Sequence, residues 1–116
     1  MNRKYSLKKN KDIAQVLKWK KVVSNAYYII YYRPSLVSQI RFAFSVSKKI
    51  GNAVTRNYER RVMKEVIRPF LEGMKELDCL MVVKKEATKL TFHEKEQHIL
   101  VLIEKLAKKK GEKNDQ

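Results

Sequence analysis

At 116 residues the chain holds one domain's worth of core, because two halves would each be too small to stabilise themselves. Apolar residues make up 44 %, enough to bury a core, and 27 Lys and Arg against 12 Asp and Glu leave a formal charge of +15, which suits polyanions or acidic membrane surfaces. The lone cysteine, Cys79, excludes an intramolecular disulfide and a cysteine-based zinc cluster, and the longest uncharged run, Val22 to Tyr32, is 11 residues, well short of a membrane span.

In chain order, Asn10 is placed to cap a short helix running to about Lys20, with Ile13, Val16 and Leu17 on one stripe. Ala26 to Tyr32 is dense in Tyr and Ile and reads as a strand, ended by Arg33-Pro34-Ser35. A strict alternation follows: Ile40, Phe42, Phe44 and Val46 point one way, and Arg41, Ala43, Ser45 and Ser47 the other. That is a strand with one face on the core and one face open. Gly51-Asn52 opens a helix that continues through the Leu71 region and closes near Gly73. Cys79 to Val83 is a short buried strand, with Cys79 a buried small hydrophobe rather than a nucleophile. The last helix spans about Thr91 to Lys108, with Ile99, Leu102, Ile103 and Leu106 as its apolar stripe. This order predicts an α/β (α+β) two-layer sandwich, a small mixed sheet of about four strands packed with three helices. One domain covers residues 1–108, and 109–116 reads as a disordered basic and polar tail.

The charge is uneven. Met1 to Arg61 carries 15 basic and 2 acidic residues, whereas Val62 to Gln116 carries 12 and 10. The first half reads as a binding surface and the second as an ordinary solvated one. On a wheel of about 100° per residue with Arg56 at zero, Asn57, Arg60, Arg61, Lys64 and Arg68 fall within an arc of roughly 140°. Val62, Met63, Val66, Ile67 and Phe70 occupy the adjoining arc and must face the sheet. Cations repeated along a helix match the phosphates of a nucleic acid, guanidinium forks hold their oxygens bidentately, and Asn57 both donates and accepts. The acids that could neutralise this strip, Glu59 and Glu65, lie away from it.

A second constellation lies on the sheet. Tyr27, Ile29 and Tyr31 share one strand face, beside the small Ala43, Ser45 and Ser47 of the next strand. Aromatics beside small hydroxyls can stack unpaired bases, although the same residues could simply pack beneath the first helix. Ile13 and Leu17 of that helix could wall the groove, and Lys48 and Lys49 stand at the strand end where phosphates would cross.

The run Phe44-Ser45-Val46-Ser47-Lys48-Lys49-Ile50-Gly51-Asn52-Ala53-Val54-Thr55-Arg56-Asn57, followed by Arg60-Arg61, resembles the signature of the bacterial ribonuclease P protein component family. Leu7-Lys8-Lys9-Asn10-Lys11-Asp12, Ser24-Asn25 and Val83-Lys84-Lys85 extend the likeness over residues 5–108. The resemblance implies a left-handed βαβ crossover, against the general rule. It implies an accessory subunit of an RNA-catalysed endoribonuclease that removes the 5′ leader from precursor tRNA. The catalytic groups and the magnesium ions then belong mainly to the RNA subunit. Lys49, Arg56, Asn57, Arg60, Arg61, Lys64 and Arg68 would contact that catalytic RNA, while Ile13, Leu17, Ile29, Tyr31, Ser45, Ser47 and Lys48 would line a cleft for the single-stranded leader. The expected partners are ribonuclease P RNA and precursor tRNA, with no membrane, a monomer in the holoenzyme and a cytoplasmic setting. Tyr58 stands where the family's Arg-Asn-Arg has its last arginine, Ile13 and Leu17 where aromatics are frequent, and Lys20 where glycine is common.

An autonomous nuclease would need carboxylates or histidines converging on a metal; His93 and His98, about 140° apart on a helix, do not face each other. A general RNA-binding protein, such as a ribosomal protein, is the alternative that uses the same strip.

Overall fold

The computed structural model describes residues 3–112, with side chains to residue 108, so residues 113–116 of the expected tail lie outside the described residues. Helix α1 spans Asn10–Trp19, strands β1 to β3 span Lys21–Ser24, Tyr28–Pro34 and Arg41–Ser45, helix α2 spans Ala53–Ile67, β4 spans Leu77–Val83 and α3 spans Phe92–Glu112. The fold is therefore α+β, with three helices on a four-stranded mixed sheet, as the sequence predicts.

The strand order is β1-β2-β4-β3. β1 and β4 pair antiparallel with β2, in registers that set Val22 opposite Tyr31 and Tyr31 opposite Leu80. β3 joins β4 in parallel, Ala43 opposite Leu80 and Ser45 opposite Val82, so the connection through α2 is a βαβ crossover.

One sheet face carries the main core. Tyr28, Ile30, Tyr32, Phe42, Cys79 and Met81 pack beneath Val62, Met63, Val66 and Ile67 of α2 and Ile99, Leu102 and Leu106 of α3. Phe44 and Val46 pack at its margin, so the alternation over 40–46 has the predicted sense. The opposite face is covered only in part. There Leu7, Val16 and Leu80 form a small second cluster with Ile13, Tyr31, Ala43 and Val82 around it. The helices thus occupy both faces: the sheet with α2 and α3 makes the sandwich, and α1 adds a partial third layer.

Local chemistry explains the boundaries. Gly51 has φ +154°, and a Cβ there would lie 3.2 Å from the Thr55 side chain, so glycine permits the sharp entrance to α2. Asn52 then caps the helix, its Oδ1 accepting from the Thr55 amide at 2.9 Å. At the other end Pro69 cannot supply an amide, and the chain tightens into a 3-10 segment over Arg68–Gly73. The 100° projection fails beyond Ile67 for that reason, and Phe70, predicted to face the sheet, is 41 % exposed. Thr91 and Glu94 form a capping box at the start of α3. α3 continues to Glu112, four residues beyond the predicted domain end.

Three further expectations are corrected. Asn10 does not cap α1; it is the first helical residue, and Lys9 precedes it without a side-chain bond. β1 is an additional four-residue strand, entered through Lys20 in the left-handed conformation at φ 63°. β2 begins two residues later than expected and keeps Arg33 and Pro34, which pair with Asp78 and Leu77.

Candidate nucleic-acid interface

α2 packs its Val62–Val66 side on the core and leaves a row of cations outside. Asn57 and Arg61 are exposed, while Arg56, Arg60 and Lys64 are half-buried at the margin. Asn57 Oδ1 accepts from Arg60 Nη1 at 3.1 Å, which ties two members of the row together. Lys49, in the 3-10 turn Lys48–Ile50 ahead of α2, is exposed as well.

The two acids of this helix behave differently. Glu59 is buried in the core, where its Oε2 accepts from Lys95 Nζ of α3 at 2.7 Å. Glu65, expected to lie away from the cations, instead accepts from both Nη atoms of Arg68 at 3.3 and 2.9 Å. Arg68 is thereby held in an exposed ion pair, and it is the one cation of the predicted row with an acidic partner among the described residues. Residues three apart on a helix are neighbours, and that spacing brings the pair together. Tyr58 is turned from the row toward α3, with Lys95 Nζ 4.6 Å from its ring centroid.

The partly covered sheet face forms a shallow cleft against α1. Tyr31, Ile29 and Ser45 lie on its floor with Ala43 and Val82, and Ile13 packs on the floor from the helix. Leu17, 44 % exposed, stands on the wall, while Ser47 and Lys48 are exposed beyond the end of β3. Tyr27 does not join them. It precedes β2, and its ring packs on His98 of α3 at 4.4 Å between centroids. Asn25 imposes this by accepting from the amides of Tyr27 and Tyr28, both at 2.9 Å, in a turn that ends the alternation.

Two features of the cleft are not legible in the sequence. At one end Asp78, fully buried, accepts from Arg33 Nε and Nη2 at 3.2 and 3.0 Å and from Arg41 Nε and Nη2 at 2.9 Å each. The hydrogen bond to Asp78 raises the Arg41 pKa above its ordinary value. Asp12 of α1 approaches the same guanidiniums at 3.5 and 4.0 Å and so fastens the helix to the sheet. At the other end the 3-10 turn Lys85–Lys89 packs against the turn Lys48–Ile50, which brings exposed Lys85 and Lys89 to the rim that holds Lys48 and Lys49. Both features join residues far apart in the chain, so periodicity carries no signal of them; the opposite signs of Arg33, Arg41 and Asp78, each within or beside an apolar strand, are the only hint.

Among the described residues no three His, Cys, Asp or Glu side chains are placed to hold a metal ion. Cys79 is buried, and desolvation, then the neighbouring Asp78 charge, pushes its thiol well above its ordinary pKa. No helix of the described residues is long and apolar enough to cross a membrane.

Comparison with known proteins meets this geometry. The profile of the Ribonuclease P family matches residues 1–107. The chain is 36 % identical to the ribonuclease P protein component of Desulforamulus reducens over 115 residues, covering 98 % of this chain and 100 % of the relative. It is 33 % identical to that of Streptococcus pyogenes over 93 % of each chain. The fold matches a Staphylococcus aureus RNase P protein with a TM-score of 0.82 at 26 % identity, over 86 % of this chain and 93 % of the other. It matches the Thermotoga maritima RNase P protein in fold with a TM-score of 0.75, at 23 % identity over 84 % and 93 %. With a family match spanning nearly its whole length, the chain belongs to the ribonuclease P protein family.

Proposed function

We propose that this chain is the protein subunit of a ribonucleoprotein that removes the 5′ leader from precursor tRNA in the cytoplasm. It acts as one copy beside a catalytic RNA and supplies no catalytic group of its own. The outer row of α2, with Lys49, Arg56, Asn57, Arg60, Arg61 and Lys64, holds the catalytic RNA. The cleft of Ile13, Leu17, Ile29, Tyr31, Ser45, Ser47 and Lys48 holds the single-stranded leader.

The observation that carries this reading is the α2 row itself. Among the described residues Arg56, Arg60, Arg61 and Lys64 have no acidic partner, because Glu59 is drawn into the core by Lys95 and Glu65 pairs with Arg68. Two RNAs repel each other; a protein that carries a cationic ridge on α2 and, on the other sheet face, a cleft floored in part by Tyr31 binds both and releases their counterions, which favours the ternary assembly. In the cleft, Tyr31 offers a ring face, and Ala43 and Ser45 leave room for a backbone to approach. The magnesium ions of the reaction fall to the RNA in this reading. Asp12 and Asp78, at one end of the cleft, are both held by Arg33 and Arg41, whose charges repel a dication.

Reconstitution tests the assignment. Adding the chain to a ribonuclease P RNA should promote leader removal at low magnesium, and the Arg56→Ala/Arg60→Ala double variant should weaken assembly. Each phosphate no longer neutralised should reduce the slope of log K against log salt by about 0.7 to 0.9. Equal affinity for unrelated structured RNAs, with no promotion of cleavage, would instead make this a general RNA-binding protein.

A further inference from the structure

Trp19 is the chain's single tryptophan, and it ends α1 with 51 % of its surface exposed. It stands among three exposed lysines, Lys18, Lys20 and Lys21, none of which has an acidic partner within 4.0 Å among the described residues. The one acid of α1, Asp12, is turned to Arg33 and Arg41. Lys20 occupies the left-handed region at φ 63°, ψ 24°, where a Cβ is unfavourable and glycine would be relaxed. A cation held at a strained backbone position, beside an uncovered indole, is a combination that stability alone does not favour.

The location gives it a use. β1 and β3 are opposite edges of the sheet. The sheet registers set Ala43 on β3, Leu80 on β4, Tyr31 on β2 and Val22 on β1 in one row, and Ser45, Val82, Ile29 and Ser24 in the next, each row about 14 Å across by three interstrand spacings. Val22 lies opposite Tyr31, shares its face and is 44 % exposed. An RNA strand held at Lys48, beyond the Ser45 end of β3, that crosses this floor diagonally leaves the sheet at the Lys21 end of β1, and the turn from α1 into β1 is the corner it meets there.

We propose that residues 18–21 form a second binding point for single-stranded RNA, in which a base stacks on Trp19 and Lys18, Lys20 and Lys21 hold the flanking phosphates. This inference rests on the reading of the cleft as the leader site and extends it to leader nucleotides beyond the sheet edge. Every nucleobase has a π-face and every nucleotide a phosphate, so the corner tolerates sequence and responds to leader length.

The experiment measures affinity of the reconstituted holoenzyme for two precursors, one with a leader too short to cross the floor and one with a leader that extends past β1. Trp19→Ala should weaken the long-leader precursor about fivefold or more and leave the short one unchanged, and Trp19→Phe should restore most of the loss. Lys20→Gly should also weaken the long-leader precursor although it relaxes the backbone, which separates a missing phosphate partner from a damaged fold. A single-stranded oligoribonucleotide should quench the emission of Trp19 in the full chain. Tyr31→Ala serves as the reference for the cleft. If Tyr31→Ala loses the long leader while Trp19→Ala retains it, the corner is overturned and the leader cleft stands. If neither variant loses it, both fall. Equal weakening of short and long precursors by Trp19→Ala also overturns the corner.

Discussion

The ion pair between Glu59 and Lys95 fastens α2, and with it the cationic row, to α3. Both side chains are 2 % exposed and meet at 2.7 Å. The second carboxylate oxygen of Glu59 has no hydrogen-bond partner among the described residues. Removing Lys95 would leave a buried carboxylate uncompensated, so Lys95→Met alone should destabilise by about 3–5 kcal/mol. That is a large part of the roughly 6–17 kcal/mol expected of a chain this long. Glu59→Leu alone should cost a similar amount by stranding the ammonium. The double variant Glu59→Leu/Lys95→Met removes both desolvation penalties and should come within about 1 kcal/mol of the parent, or exceed it. Urea denaturation of the four proteins gives the coupling energy, provided the m-value is unchanged. Additive losses in the double variant would refute the argument, because they would mean that each side chain contributes through packing of its own. The double variant should also bind catalytic RNA like the parent, since neither residue belongs to the outer row.

Other consequences concern single positions. Lys20→Gly should raise stability by about 0.5–1 kcal/mol, the relief of the left-handed φ less the added freedom of glycine in the unfolded chain; thermal denaturation showing a loss would refute the strain. Glu65→Ala should free Arg68 and strengthen RNA binding at low salt, whereas Arg68→Ala in the parent should weaken it less than Arg60→Ala, as salt-titrated binding would show. Alkaline stability should fall in two stages. Burial raises the Cys79 thiol above its ordinary 9.0 and the Tyr28 phenol above its ordinary 10.0, so below pH 9 both states hold these protons and stability is complete. Above that the unfolded chain alone ionises, and stability drops by about 1.4 kcal/mol per pH unit for each group. Tyr28→Phe should remove the second stage, and because the Tyr28 hydroxyl has no partner among the described residues it should cost little at pH 7.

How far the sequence reaches depends on whether the deciding interaction is local. The alternation over 40–46 and the Asn52 cap act within a few residues, and each is found where the pattern puts it. The wheel for α2 holds as far as Val66; Ile67, at about 20° where the apolar and cationic arcs overlap, is fully buried, and Phe70 is misplaced once Pro69 changes the pitch. Glu59 carries a signal of its own: at about 300° on that wheel it sits among Val62, Val66 and Met63, and an acid within an apolar seam implies a buried cation. The pairing of Glu65 with Arg68 needs the three-residue spacing as well as the four. Tyr27 follows the strand period on paper, but Asn25 turns the backbone before the strand begins. The cluster around Asp78 joins positions 37 and 45 residues apart, and only the sheet register reveals it.

That cluster bears on why so basic a chain presents its charge as a surface. Residues 1–61 contain just two acids, Asp12 and Glu59, and each is drawn into an ion pair within the fold. Asp12 joins Asp78 in balancing Arg33 and Arg41, and Glu59 balances Lys95 from the other half of the chain. No acid from this half remains to cancel the cations around α1, the turn at Lys48 and the start of α2. The same pairs fix the elements that carry those cations: Asp12 holds α1 over the cleft, and Glu59 holds α2 against α3. Positioning and charge separation are therefore one device. A substitution that returns an acid to the outer surface, such as Lys64→Glu, should weaken RNA binding by more than Lys64→Ala at low salt while leaving stability nearly unchanged; equal effects of the two in a salt-titrated binding assay would show that the uncompensated field is not what recruits the RNA.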